Sequence, residues 1–220
     1  VTLNSVSNDG NKPVITANNQ NYTFDAVLYA TGRRPNTTNI GLENTEITTN
    51  ERGAIVVNDT CESSVPGVYA VGDVNGGPQF TYISLDDFRI VFSALTGNGH
   101  YTLKDRKNIP YTTFLTPPLA RVGLTEEDAI SKGYTVKTKE MLVATMPRAH
   151  VNNYLKGAFK IVVDAENDLI LGSTLYAQGA EELINLIKVA MDNNIPYTYF
   201  KNQIFTHPTM AENLNDLCNF

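Results

Sequence analysis

Apolar and polar positions alternate from the first residues of the chain. "VTLNSV" breaks at "SNDGN", runs back as "KPVITANNQ" and returns through "YTFDAVLYATG". This period of two, punctuated by Asn-Asp-Gly and Asn-Asn, predicts a small antiparallel meander over residues 1–30. The apolar run "AVLYATG" (26–32) reads as a buried strand that turns at Gly32 into the basic loop "RRPNTTNIGLENT". Two short strands follow, "GAIVV" (53–57) and "GVYAVGD" (67–73). A helix is expected around "SLDDFRIVFSALTG" (84–97), with Ser84 as its N-cap and Gly97 at its end.

The pattern changes at "KDRKNIP" (104–110), where the chain turns charged and polar, and a domain boundary is placed near residue 109. Beyond it the periodicities are mixed. "TTFLTPPLARVGL" (112–124) predicts a strand with a Pro-Pro kink, which confines it to an edge or an end. "TEEDAISKG" (125–133) predicts a short helix with Thr125 as N-cap, Asp128 closing a capping box and Gly133 as the C′ turn. "YTVKTKEMLVAT" (134–145) reads as a strand. "AFKIVVDAENDLILGSTLYA" (158–177) reads as a hairpin turning at "DAEND". In "AEELINLIKVAMDNN" (180–194), Leu183, Ile184, Ile187, Ala190 and Met191 fall on one face of a helix that Asn193 or Asn194 stops. A short helix after Thr198 leads into "THPTMAEN" (206–213). There is no repeat of 20 to 50 residues.

Composition narrows the classes. An apolar fraction of 42% is too high for a disordered chain. A net charge of −6 argues against nucleic acid or an anionic membrane as the main partner. No apolar run approaches the roughly 20 residues of a membrane span, and no secretory signal opens the chain. Cys61 and Cys218 lie far apart, which is not a disulfide framework, so reduced thiols in the cytoplasm are expected. The chain starts in mid-strand without Met, and is read as a piece of a longer protein.

Three motifs carry chemistry. Gly72-Asp73 ends an apolar strand, where backbone can approach a ligand and a carboxylate can accept from a sugar hydroxyl. Gly32 ends another in the same form. His207 and Glu212 place an imidazole and a carboxylate five positions apart, with Pro208 suited to the first position of a helix. Singly, each has a plain alternative: a strand-to-loop turn for the glycines, a cap or surface residue for His-Pro. A metal site from His207, Glu212 and Cys218 matches no zinc spacing, so none is expected. Cys61 reads as a small buried apolar residue, Cys218 as incidental rather than a thiol relay, and His150 as a turn residue.

In this order and spacing, "ATGRRPN", "SSVPGVYAVGDV" and "HPTMAEN" together resemble the pyridine nucleotide-disulfide oxidoreductases, two-dinucleotide flavoproteins that include glutathione reductase, dihydrolipoamide dehydrogenase and mercuric reductase. "TPPLARVGLTEEDA" is similar to the opening of that family's dimerisation domain. The resemblance implies an α+β chain in three parts: 1–30, a remnant of the NAD(P)-binding domain; 31–108, the C-terminal segment of the α/β FAD-binding domain; and 109–220, a dimerisation domain of antiparallel sheet flanked by helices. No G-x-G-x-x-G follows a strand and no Cys-x-x-x-x-Cys pair occurs in these residues, so this chain alone is expected to retain neither FAD nor NAD(P)H.

The resemblance also implies roles. Asp73 matches the residue that hydrogen-bonds the FAD ribityl chain, and Gly32 and Gly72 match the turn glycines beside the cofactor. Thr81 and Tyr82 fall where backbone amides approach the flavin pyrimidine. There the chain departs from the Leu-Thr-Pro-Val-Ala stretch of glutathione reductases, which leaves the acceptor open, a small-molecule disulfide or a metal ion, and points toward the mercuric reductases. His207 and Glu212 match an acid/base dyad that reaches into the partner subunit of a homodimer, with a cis bond between His207 and Pro208. The apolar face of the 180–191 helix and the strands of 110–177 are expected to form the two-fold interface. The reading from another class is an assembly module that dimerises and catalyses nothing by itself.

Overall fold

In the computed structural model, which describes residues 1–97 and 101–220, the chain divides into two compact units, 1–103 and 104–220. The fold is α+β, with two antiparallel sheets.

The first unit opens with the expected meander: β1 (Leu3–Asp9), β2 (Lys12–Ala17) and β3 (Gln20–Thr23), paired in that order. The β2–β3 turn has positive φ at both central residues, Asn18 (50°) and Asn19 (63°). A tight hairpin turn demands that geometry, and Asn tolerates it better than most residues. The other three strands expected in this unit do not form. Residues 26–30 have no strand structure, and Leu28 is 89% exposed. Within 53–57 and 67–73 only single antiparallel bridges occur, Thr49 with Ile55 and Glu62 with Tyr69. Apolar runs become strands only where a neighbouring strand takes up their N–H and C=O groups, and among the described residues these find no ladder. Helix α1 spans Thr81–Leu95. It begins three residues before Ser84, after an extended Phe80 that makes no side-chain cap. Gly97, with φ of 77°, follows the C-cap Thr96 as expected.

The second unit holds a five-stranded sheet of order β4-β5-β8-β7-β6. Its strands are β4 (Tyr111–Thr113), β5 (Leu119–Gly123), β6 (Val136–Leu142), β7 (Ala158–Asp164) and β8 (Ile170–Tyr176). The stretch expected as one kinked strand is a hairpin. Thr113 pairs with Leu119, the Thr116–Pro117 bond is cis, and β4 is an edge strand. Pro117 and Pro118 carry no N–H to continue a ladder, so the chain doubles back through them. Helix α2 (Glu126–Ser131) has the full Thr125/Asp128 capping box, and those bonds hold the Asp128 carboxyl below its ordinary range. A five-residue helix, α3 (Pro147–Val151), takes in His150, which was expected in a turn.

Helix α4 (Ala180–Asp192) packs on β5 and β8. Its apolar stripe of Leu183, Ile184, Ile187 and Ala190 is buried with Val122, Phe159, Ile161, Val163 and Leu175 in the core of this same unit. Each such Leu, Ile or Phe contributes roughly 1.5–3 kcal/mol on burial. The stripe expected at a two-fold interface therefore serves the subunit's own interior. Two short helices finish the chain, α5 (Tyr197–Asn202) and α6 (Asn213–Leu217), with Leu214, Leu217 and Cys218 fully buried. Among the described residues no helix is long and apolar enough to cross a membrane.

Candidate functional site

Each unit carries one group of the residues singled out above. In the second unit, residues 203–212 connect α5 to α6. The expected helix start at Pro208 is absent, because α6 begins at Asn213, and the His207–Pro208 bond is cis. The turn before α6 is organised instead by Thr209 and Glu212. Glu212 N–H donates to Thr209 Oγ1 (3.2 Å), and Thr209 N–H donates to Glu212 Oε1 (3.0 Å). The two bonds are reciprocal, but they close a turn that precedes α6 and cap no helix. They fix one oxygen of Glu212 on the backbone and leave Oε2 for the imidazole, 2.7 Å from His207 Nδ1.

The side chains differ in exposure, 68% for His207 and 19% for Glu212. The hydrogen bond from His207, reinforced by the Thr209 N–H and opposed by burial, holds the Glu212 carboxyl below its ordinary range. An ionised Glu212 accepts from Nδ1–H, which places the lone pair of a neutral ring on Nε2. The arrangement can take up a proton at Nε2 and stabilise the imidazolium that results.

Two asparagines hold this turn in place. Buried Asn213 donates through Nδ2 to the carbonyls of Thr209 (3.2 Å) and Met210 (3.1 Å). Asn215 donates through Nδ2 to Phe200 O (2.6 Å), Lys201 O (3.3 Å) and Gln203 O (2.9 Å), closing the end of α5. Neither was singled out in the sequence, nor was Thr209, although Thr-x-x-Glu is a capping-box signature. Cys218 lies in the core, and burial pushes its thiol up to about 12, which is not the state of a thiol relay.

In the first unit, Gly72 begins a single 3-10 turn, Gly72–Asn75, that carries Asp73. Gly72 has φ of +73°, and a Cβ there would lie 2.6 Å from Ser84 Oγ on α1. Glycine is required by both conformation and space. Thr81 and Tyr82 form the start of α1. Burial raises the Tyr82 phenol. Gly32 has φ of +106° with open space around it, and its neighbour Arg33 reaches Asp73 (Nη1 to Oδ2, 3.8 Å) and the carbonyl of Gln79 (3.3 Å). Both members of that ion pair are largely exposed, so it contributes little. Gly32, Gly72, Asp73, Thr81 and Tyr82 thus lie on the loops and helix start of one unit. The half-exposed Asp73 carboxylate could accept from a hydroxyl of a ligand such as FAD.

Comparison with known proteins bears on both groups. Residues 109–218 match the family described as pyridine nucleotide-disulphide oxidoreductase, dimerisation domain. Residues 1–87 match pyridine nucleotide-disulphide oxidoreductase. The chain is 45% identical over 212 residues to the probable pyridine nucleotide-disulfide oxidoreductase RclA of Escherichia coli, covering 96% of this chain and 48% of that protein. It is 34% identical over 218 residues to the mercuric reductase of Staphylococcus aureus, with 97% and 40% covered. A solved Cu(II) complex of the HOCl-induced flavoprotein disulfide reductase RclA from Escherichia coli superposes with a TM-score of 0.94 at 43% identity, over 99% of this chain and 49% of that one. The chain spans about half the length of these relatives.

Proposed function

The chain belongs to the pyridine nucleotide-disulphide oxidoreductases, and from that premise we propose that it is the C-terminal part of a homodimeric, FAD-dependent enzyme carrying electrons from NAD(P)H to a disulfide or a metal ion. In this reading residues 1–30 end the NAD(P)-binding domain, 31–108 complete the FAD-binding domain and 109–220 form the dimerisation domain. FAD, when bound, would supply the step between the two-electron donor and a redox disulfide.

The chain's own residues serve that chemistry in two ways. Asp73 would accept from a ribityl hydroxyl, with Gly32, Gly72 and the amides of Thr81 and Tyr82 shaping the surrounding wall. His207 Nε2 would accept the proton of an attacking thiol and return it to the leaving sulfur, while Glu212 holds the ring and its charge. The observation that carries this reading is the 2.7 Å bond between Nδ1 of an exposed imidazole and a carboxylate fixed by its own backbone bond. The names of the mercuric reductase and of the copper complex favour a metal ion as an acceptor to test beside a disulfide. In this reading the protein works in the cytoplasm, where its two buried cysteines would stay reduced.

The test uses the full-length protein. His207→Ala should lower turnover with a disulfide acceptor by roughly 10²- to 10⁴-fold, with the flavin absorption band retained. A Cu(II) acceptor, which needs no proton returned to a leaving sulfur, should lose far less. Near-normal disulfide turnover in this variant would remove the dyad from the mechanism.

A further inference from the structure

The buried face of α1 is formed by Ile83, Asp87 and Ile90. Two of these obey the rule for an amphipathic helix, and the third breaks it. Asp87 is fully buried. Removing a carboxylate from water is costly unless hydrogen bonds replace the lost solvation. Here Oδ2 accepts from the N–H of Gly72 (2.7 Å) and from Nδ2 of Asn75 (2.9 Å). These are the first and last residues of the 3-10 turn that bears Asp73. Asn75 extends the tie, accepting from the Gly77 N–H (3.0 Å) and donating to Ala70 O (3.3 Å). The close approach of Ser84 to Gly72, one helical turn before Asp87, seats the turn directly on α1.

We propose that Asp87 is a positioning residue that acts through Asp73, clamping both ends of the Gly72–Asn75 turn to α1 so that the Asp73 carboxylate is held at a fixed place relative to the amides of Thr81 and Tyr82. The proposal rests on the reading of Asp73 as a hydroxyl acceptor for FAD. In this reading Asp87 acts on the ligand only through the turn that carries Asp73. Its contribution is to remove the freedom the turn would otherwise lose only when the cofactor binds. An apolar residue at 87 would satisfy the helix stripe and leave the Gly72 N–H buried without this acceptor.

The experiment is a double-mutant cycle on FAD affinity in the full-length flavoprotein, made apo and titrated with FAD by flavin fluorescence. Asp73→Ala should weaken FAD binding. Asp87→Ala should weaken it about tenfold when Asp73 is present, and by less than about twofold when Asp73 is already Ala. Asp87→Asn keeps an oxygen for both donors and should restore most of the affinity. If Asp87→Ala does not fold, Asn75→Ala removes one arm of the clamp and should show the same dependence on Asp73, with a smaller loss. Equal losses in the two Asp73 backgrounds would overturn the proposal and leave Asp87 as a fold-stabilising residue, with the reading of Asp73 intact. An Asp73→Ala protein that binds FAD normally would overturn both.

Discussion

Thr209 and Glu212 hold each other, the hydroxyl of one accepting from the other's N–H (3.2 Å) and the carboxylate of the second accepting from the first's N–H (3.0 Å). The carboxylate aimed at His207 thereby also closes the turn that precedes α6. Replacing Thr209 with Val removes the hydroxyl and the turn hydrogen bond it accepts, and should destabilise the chain by roughly 0.5–1.5 kcal/mol. In the full-length protein it should also lower disulfide turnover, by less than Glu212→Gln, because the carboxylate remains. Thr209→Ser should restore both. Urea midpoints and steady-state rates on the three variants check this.

The Glu212 carboxyl ionises below its ordinary value of 4.5 because His207, and then Thr209, hydrogen-bond it. A depressed folded value stabilises the protein above the unfolded one, and that stability is lost as pH falls through the folded value. The natural chain should therefore lose more stability than Glu212→Gln on moving from neutral pH to the acid side of 4.5. Denaturation midpoints for both proteins across that range measure the difference. Parallel acid limbs would mean that the bonds to Glu212 contribute no net stability.

Cys218 is fully buried, with its thiol pushed up to about 12. It should resist alkylation at mildly alkaline pH in the folded chain and react once urea unfolds it. Mass spectrometry of iodoacetamide-treated protein reads this directly. Rapid labelling of the native chain would restore Cys218 as a candidate relay thiol.

Helix α4 separates its interior from its outer face. Ile187 is fully buried, whereas Leu186 and Val189 are 43% and 57% exposed. If the outer face contributes to the dimer, Leu186→Asp should dissociate it and keep the far-ultraviolet circular dichroism of the natural chain. Ile187→Asp should unfold the second unit, since it buries a charge without a partner. Light scattering with circular dichroism distinguishes the two outcomes. A Leu186→Asp dimer of unchanged affinity would exclude this face.

The second unit was legible because its signals are local. The Thr125–Asp128 box, the 164–168 turn and the Leu183–Ile184–Ile187–Ala190 stripe each lie within a few residues of what they shape. The apolar runs at 26–30, 53–57 and 67–73 misled because strand formation depends on a neighbour, and nothing within the run reports whether one exists. His207 and Glu212 were singled out by residue type and spacing, and the resemblance supplied the role expected of them, whereas the residues that hold them in place were not singled out. Thr209 lay in view as a signature overshadowed by Pro208, whose preference for a helix start suggested an earlier beginning than Asn213. Asp87 carried no local signal at all. On paper it is half of an Asp-Asp pair on a helix, and only the fold reveals which of the two faces inward.

Lys139, on β6, donates through Nζ to the carbonyls of Asp216 (2.7 Å) and Asn219 at the end of α6, while Asn215 secures the end of α5. The segment bearing His207 is thus fastened on both sides, and α6 cannot lift without exposing Leu214 and Leu217. Its amides should exchange with solvent only in openings that also disrupt the core of the second unit. A change in the middle of β6, distant in sequence from the imidazole, would then be felt at His207 as a loss of rigidity.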